Sequence, residues 1–130
     1  TMVGQKTTTS PLGRDPKHAG EPIRMSEMLA TINGSAFIER VSVHNPARVR
    51  KAKRAIRQAF ETQKEHKGFA LVEVLSTCPT NWGMSPVESL QWLADNMIPY
   101  YPLGNFGHHD KEPQPCCWRS SLPQDSADRV

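Results

Sequence analysis

A run of hydrogen-bonding side chains, Ser76-Thr77-Cys78-Pro79-Thr80-Asn81-Trp82, follows directly on the apolar stretch Phe69 to Leu75. Hydroxyls, a carboxamide and a thiol at the end of a buried strand suit a binding crevice, because ligands of open α/β sheets sit beyond the carboxyl ends of the strands. A second hydroxyl cluster, Thr7-Thr8-Thr9-Ser10, stands in an aperiodic N-terminal stretch. It reads either as a surface connection, the commoner use of a loop, or as the lining of a polar pocket. Cys78 and His44 would make a nucleophile–base couple if their loops converged. Neither an orienting third group nor an oxyanion hole accompanies them, and an inert cysteine is the simpler reading. Glu73 is the lone charge of its apolar stretch. A buried carboxylate is costly unless paired, so a structural partner is expected for it ahead of acid–base work. His108, His109, Cys116 and Cys117 follow no standard zinc spacing. The sequence carries neither a phosphate-binding glycine loop nor a paired-carboxylate site.

The elements that must position these residues are few. A chain of 130 residues is one domain at most, and eleven prolines, clustered towards both ends, with a mean hydropathy of -0.58 suggest a smaller folded centre. Sixteen basic against thirteen acidic residues is no nucleic-acid signature. No apolar run approaches the roughly 20 residues of a membrane span, and no hydrophobic leader opens the chain. Three cysteines make no disulfide framework, so reduced thiols in a cytoplasmic protein are expected. A threonine at position 1 suggests a processed chain or a fragment.

Phe69 to Leu75 reads as a strand buried on both faces, of the kind found inside parallel sheets. A helix is expected from Glu21, with Pro22 in its first turn, Met25, Met28, Leu29 and Ile32 on its core face, and Asn33-Gly34 as its stop. Phe37 to Val43 reads as a strand. Asn45 and Pro46 suit the start of a helix that runs to about His66, with Val49, Ala52, Ile56, Ala59, Phe60 and Gln63 on one face. Strand, helix, strand predicts a right-handed parallel βαβ unit whose two strand ends share one sheet edge. Ser85-Pro86-Val87-Glu88 is a capping box, opening a helix that should stop before Pro99. From 108 to 130 no periodicity remains, and a disordered tail after a domain of 1–107 is expected.

Four stretches together resemble one family: Gly4 to Pro16 (GQKTTTSPLGRDP), Phe37 to Pro46 (FIERVSVHNP), Gly68 to Glu88 (GFALVEVLSTCPTNWGMSPVE) and Met97 to Gly104 (MIPYYPLG). They are similar to the thiamine-diphosphate-binding β subunit of 2-oxoacid:ferredoxin oxidoreductases, of the branched-chain 2-oxoacid or 2-oxoglutarate type. The resemblance implies an α/β chain, the C-terminal part of a three-layer thiamine-diphosphate-binding fold. It implies oxidative decarboxylation of a 2-oxoacid to an acyl-coenzyme A, with electrons passed to ferredoxin. The resemblance further implies thiamine diphosphate and Mg²⁺ in the intact enzyme, with iron–sulfur clusters on partner subunits. The partners implied are an α subunit, a ferredoxin-like subunit, the 2-oxoacid and coenzyme A; no membrane or nucleic acid is expected. The family's Gly-Asp-Gly magnesium motif falls upstream of the stretch matched, so the piece alone should be inactive and no metal ligand is assigned. Thr7, Thr8, Thr9, Thr77, Cys78, Thr80 and Asn81 become the candidates for the cofactor-binding or active-site rim. The tail departs from the family pattern. A competing class is a stand-alone basic module that uses the helix from Arg48 to Arg57 on nucleic acid or an acidic protein.

Overall fold

A computed structural model describes residues 2–107. The expected tail over 108–130, with His108, His109, Cys116 and Cys117, lies outside the described residues. In chain order the elements are α1 (Pro16–Ala19), α2 (Met25–Ala30), β1 (Ser35–Ser42), α3 (Pro46–Lys64), β2 (Phe69–Leu75), α4 (Pro79–Trp82) and α5 (Pro86–Trp92). A π-helical turn (Leu93–Met97), α6 (Ile98–Tyr100) and β3 (Gly104–Asn105) complete them.

The frame is β1, α3 and β2. The strands pair in parallel, Phe37 against Ala70 and Ser42 against Leu75, as the strand–helix–strand pattern predicts. The Asn45 side chain caps α3 by accepting from the Arg48 N–H at 2.9 Å, and Pro46 takes a first-turn position where its missing donor costs nothing. Ala52 and Ala55 let α3 approach the sheet closely over Phe37 and Val41, with Val43, Ala59, Ala70 and Val72 around them. Burying a Phe or Val side chain contributes about 1.5–3 kcal/mol, so this face carries much of the fold's stability.

The opposite face of the sheet packs on α2 and the C-terminal helices. Leu75, Leu93 and Tyr101 form its apolar centre, with Met2, Met97, Ile98, Tyr100 and Leu103 against them. The third strand is short and antiparallel, placing Gly104 beside Arg40 and Asn105 beside Glu39. The Phe106 N–H then donates to the Ile38 carbonyl at 2.7 Å. The sheet order is therefore β2-β1-β3.

Three expectations are corrected. The strand with both faces covered is β1; among the described residues β2 is an edge strand, leaving Phe69 46% and Val74 41% exposed. A continuous apolar run shows strand length and composition, and it does not show which side lacks a neighbour. The helix expected from Glu21 begins only at Met25, without a side-chain cap, and Met25, Met28 and Ile32 are exposed while Ser26 is buried. Pro22 stays outside it, its carbonyl accepting from the Tyr100 hydroxyl at 3.1 Å. Nor does the α5 path stop before Pro99. A π turn over Leu93–Met97 resets the ladder, and Pro99 occupies the first turn of α6, where no N–H is required.

Candidate functional site

The carboxyl ends of β1 and β2 meet at one edge, where the Val43 N–H donates to the Leu75 carbonyl at 3.3 Å. Beyond β2 the polar run folds into α4, a single turn that the sequence did not suggest. Cys78 sits at its N-cap position without a side-chain cap bond, and Gly83 closes it in the left-handed region at φ 67°. The Asn81 carbonyl accepts from the Thr8 N–H at 3.0 Å, and the Thr8 hydroxyl donates to Asn81 Oδ1. The two hydroxyl clusters, 73 residues apart in sequence, thus form one surface.

The N-terminal half of this surface is a tight turn. The Thr7 N–H donates to the Ser10 carbonyl at 3.2 Å and the Ser10 N–H to the Thr7 carbonyl at 3.1 Å. Thr7 is buried, its hydroxyl accepting from the Ser10 N–H at 3.1 Å and lying 3.2 Å from that of Thr9. Thr8, Thr9, Cys78 and Thr80 are exposed, while Thr77 and Asn81 are half-buried. The loop behind the turn is pinned by the Gly4 N–H to the Arg14 carbonyl at 2.9 Å and the Arg14 N–H to the Gln5 carbonyl at 3.2 Å. Gln5 is buried; its Oε1 accepts from the Met2 N–H at 2.8 Å, and its Nε2 has no hydrogen-bond partner among the described residues. Gln5 did not stand out in the sequence; Ser42, buried at the end of β1, belongs to the strand end that the βαβ pattern sets at this edge.

His44 is engaged with neighbours other than Cys78. Asn45 Oδ1 holds the Arg48 N–H, which turns Asn45 Nδ2 towards His44 Nε2 at 3.0 Å. His44 Nε2 therefore accepts, and Nδ1 carries the proton that faces the Ser42 hydroxyl at 3.0 Å. Burial, and next the Arg48 charge, hold the His44 pKa below its usual value near 6.5. Protonation would remove the acceptor for Asn45 and set a cation at the positive end of α3. The unfolded chain binds that proton more readily, so the contribution of neutral His44 to stability is complete above about pH 6.5 and is lost as pH falls. In urea titrations the unfolding midpoint should fall from pH 7.5 to pH 5.5, and the fall should be smaller in H44Q. Equal falls in both proteins would refute the assignment.

Glu73 is paired, as its setting predicts. Arg40 Nε donates to its Oε2 at 2.9 Å and the Ser26 hydroxyl donates to the same oxygen. This leaves it no free role at the site. On α3, Lys51 approaches Glu39 at 3.7 Å, whereas Arg50, Lys53, Arg54 and Arg57 are exposed with no acidic partner among the described residues. Among the described residues no three His, Cys, Asp or Glu side chains gather where they could hold a metal ion. No helix among them is long and apolar enough to cross a membrane.

Comparison with known proteins gives a consistent set of relatives. The whole chain is 42% identical over 131 residues to ketoisovalerate oxidoreductase subunit VorA of Methanothermobacter thermautotrophicus, of which it covers 28%. It is 41% identical over 131 residues to the subunit of the same name in Methanothermobacter marburgensis, covering 27% of that protein. A 2-oxoglutarate synthase subunit, KorB of Archaeoglobus fulgidus, is 32% identical over 96 residues, which is 74% of this chain and 32% of that protein. No family model matches the chain, and no solved structure matches it. The chain therefore spans between a quarter and a third of the length of these relatives.

Proposed function

We propose that this chain, a homologue of 2-oxoacid oxidoreductase subunits, is a portion of the thiamine-diphosphate-binding β subunit of a 2-oxoacid:ferredoxin oxidoreductase acting in the cytoplasm on a branched-chain 2-oxoacid. One observation carries the proposal: identity of 42% sustained across the entire chain with a ketoisovalerate oxidoreductase subunit. The joined surface of Thr8 and Asn81, at the carboxyl end of parallel strands, supports a rim role for Thr7, Thr8, Thr9, Thr77, Cys78, Thr80 and Asn81. These groups offer neutral oxygens and one thiol, which suit orientation of a substrate or cofactor edge.

They do not fit Mg²⁺. That ion wants hard oxygen ligands, usually including a carboxylate, in near-octahedral geometry. The described residues gather no such set, and the Thr7, Thr8 and Asn81 oxygens are already engaged with one another or with backbone. The diphosphate–metal grip then belongs to the remainder of the subunit, and the second half of the cofactor site to an α subunit. A ferredoxin-like subunit with iron–sulfur clusters takes the electrons, and coenzyme A takes the acyl group. A stand-alone basic module is the weaker reading, because the similarity spans the whole chain and is not confined to α3.

Two measurements test this. The chain alone, titrated calorimetrically with millimolar thiamine diphosphate and Mg²⁺, should show no metal-dependent binding; micromolar affinity would place the metal site within these residues. The whole subunit, assembled with its partners, should reduce a viologen dye in the presence of 3-methyl-2-oxobutanoate, coenzyme A and the cofactor. Faster reduction with pyruvate would refute the branched-chain assignment, and no reduction with any 2-oxoacid would refute the enzyme assignment.

A further inference from the structure

The two edges of the sheet differ. On the far side of β1 the chain from Gly104 to Gly107 covers the strand: Gly104 and Asn105 pair with it, and Phe106 donates to Ile38. A Cβ on Gly107 would meet the Ile38 nitrogen at 3.0 Å, so this cover is close. The outer edge of β2 has no neighbour among the described residues. Beside it, on the α3 face, Ile56, Ala59, Phe60, Gln63, Ala70 and Val72 line an open groove of about 240 Å³. Ile56 is 43% and Phe60 69% exposed, and Phe69 and Val74 on β2 are exposed as well.

A seven-residue apolar strand with a free edge is a template for further pairing, and proteins that keep such an edge open usually blunt it with charge or proline. Here the blunting devices are missing: Phe69–Leu75 has one charged residue, Glu73, which is committed to Arg40 on the covered face. Parallel sheets also bury both faces, and a helix next to α3 is what their construction supplies.

We infer that the β2 edge and the α3 groove are the seam on which the rest of the subunit assembles, by adding a strand beside β2 and a helix across Ile56 and Phe60. The occupant comes from the same polypeptide, because the relatives matched over this whole chain are more than three times its length. The inference rests on the reading of the chain as a portion of such a subunit. The added strand is apolar on both faces, and the added helix presents apolar side chains to Phe60, Ala70 and Val72.

The test is a chimera in which this chain replaces the matched 131 residues of the Methanothermobacter thermautotrophicus subunit. F60C and V74C variants of the isolated chain and of the chimera are labelled with a maleimide, and each site is read by mass spectrometry so that native thiols do not interfere. Labelling at both positions should slow about tenfold or more in the chimera, with slower amide exchange across Phe69–Leu75. Equal labelling and exchange in the two proteins would overturn the inference. So would an isolated chain already protected by pairing with a second copy, shown by a dimer that V74K separates. Where F60C disturbs folding, amide exchange in the unsubstituted proteins reads the same seam. A protected but inactive chimera supports the seam and counts against the enzyme reading; an active chimera with an open β2 edge refutes the seam alone.

Discussion

Replacing Arg40 with alanine should destabilise the folded chain by about 3 kcal/mol, the low end of what removing one member of a buried ion-pair network costs. Arg40 is fully buried in the middle of β1. Its Nη1 donates to Glu27 Oε1 at 2.9 Å and to the Pro102 carbonyl at 3.2 Å, and its Nη2 donates to Glu27 Oε2. Its Nε donates to Glu73, and its Cζ lies 5.2 Å from the Tyr101 ring centre and 5.1 Å from that of Phe106. One guanidinium thus ties α2, both long strands and the C-terminal segment together. Burial disfavours its charge, but the Glu27 and Glu73 carboxylates outweigh that and raise its pKa. The low end of the range applies because the two carboxylate side chains keep 29% and 23% exposure and recover some hydration once the cation is gone. Against a typical total of roughly 5–15 kcal/mol, about 3 kcal/mol leaves little margin in a chain with so small a core. Urea denaturation checks it, and a loss under about 1 kcal/mol would mean the network adds nothing beyond packing. A triple variant, E27L/R40M/E73L, should recover most of the loss, since apolar replacement of a whole buried network is often neutral. The Arg40 hydrogen bond also holds the Glu27 pKa below 4.5, so its share of stability is present above that pH and fades as pH falls through the lowered value.

Much of the frame was legible from residue pattern. The βαβ order, the Asn45 cap and the Ser85–Glu88 capping box are local devices whose chemistry is complete within a few residues. Glu73 was legible as a residue that needed a partner, though the partner was not. Arg40 alternates correctly with Ile38 and Ser42 on one face of β1, but whether that face meets water or carboxylates depends on where α2 docks. Position along the chain also hid the site. Thr8 and Asn81 touch only because the N-terminal turn returns to the end of β2, a contact that no local periodicity records. The misread face of α2 has a related cause. Met25, Met28 and Ile32 have helical spacing, yet Ser26 lies inwards to reach Glu73, so the polar network outranked the apolar stripe in setting the rotation of that helix.

Gly68→Ala should cost about 3 kcal/mol, and the reason is space as well as backbone angle. Gly68 lies between α3 and β2 at φ 134°, a region that side chains other than glycine's rarely adopt. A Cβ there would stand 2.5 Å from the Gly34 carbonyl oxygen and 3.3 Å from the Ala36 Cβ. That carbonyl is not free to move, since it accepts the Phe69 N–H at 2.8 Å in the bond that starts the β1–β2 pairing. The Gly68 carbonyl is likewise held by Gln63 Nε2 at 3.0 Å. Backbone strain of this kind costs roughly 1–3 kcal/mol, and forcing extra atoms into a packed position costs a similar amount. Gly34→Ala separates the two effects, because Gly34 also has positive φ, at 92°, but its Cβ would meet nothing within 4 Å. G34A should therefore cost about 1 kcal/mol, from strain alone. For a chain of this size the difference corresponds to a thermal midpoint lower by roughly 10 °C in G68A than in G34A. Equal midpoints would show that the β1–β2 junction yields to the added methyl group. A junction that yields would shift β2 lengthwise, and with it the Thr77–Asn81 segment that meets Thr8.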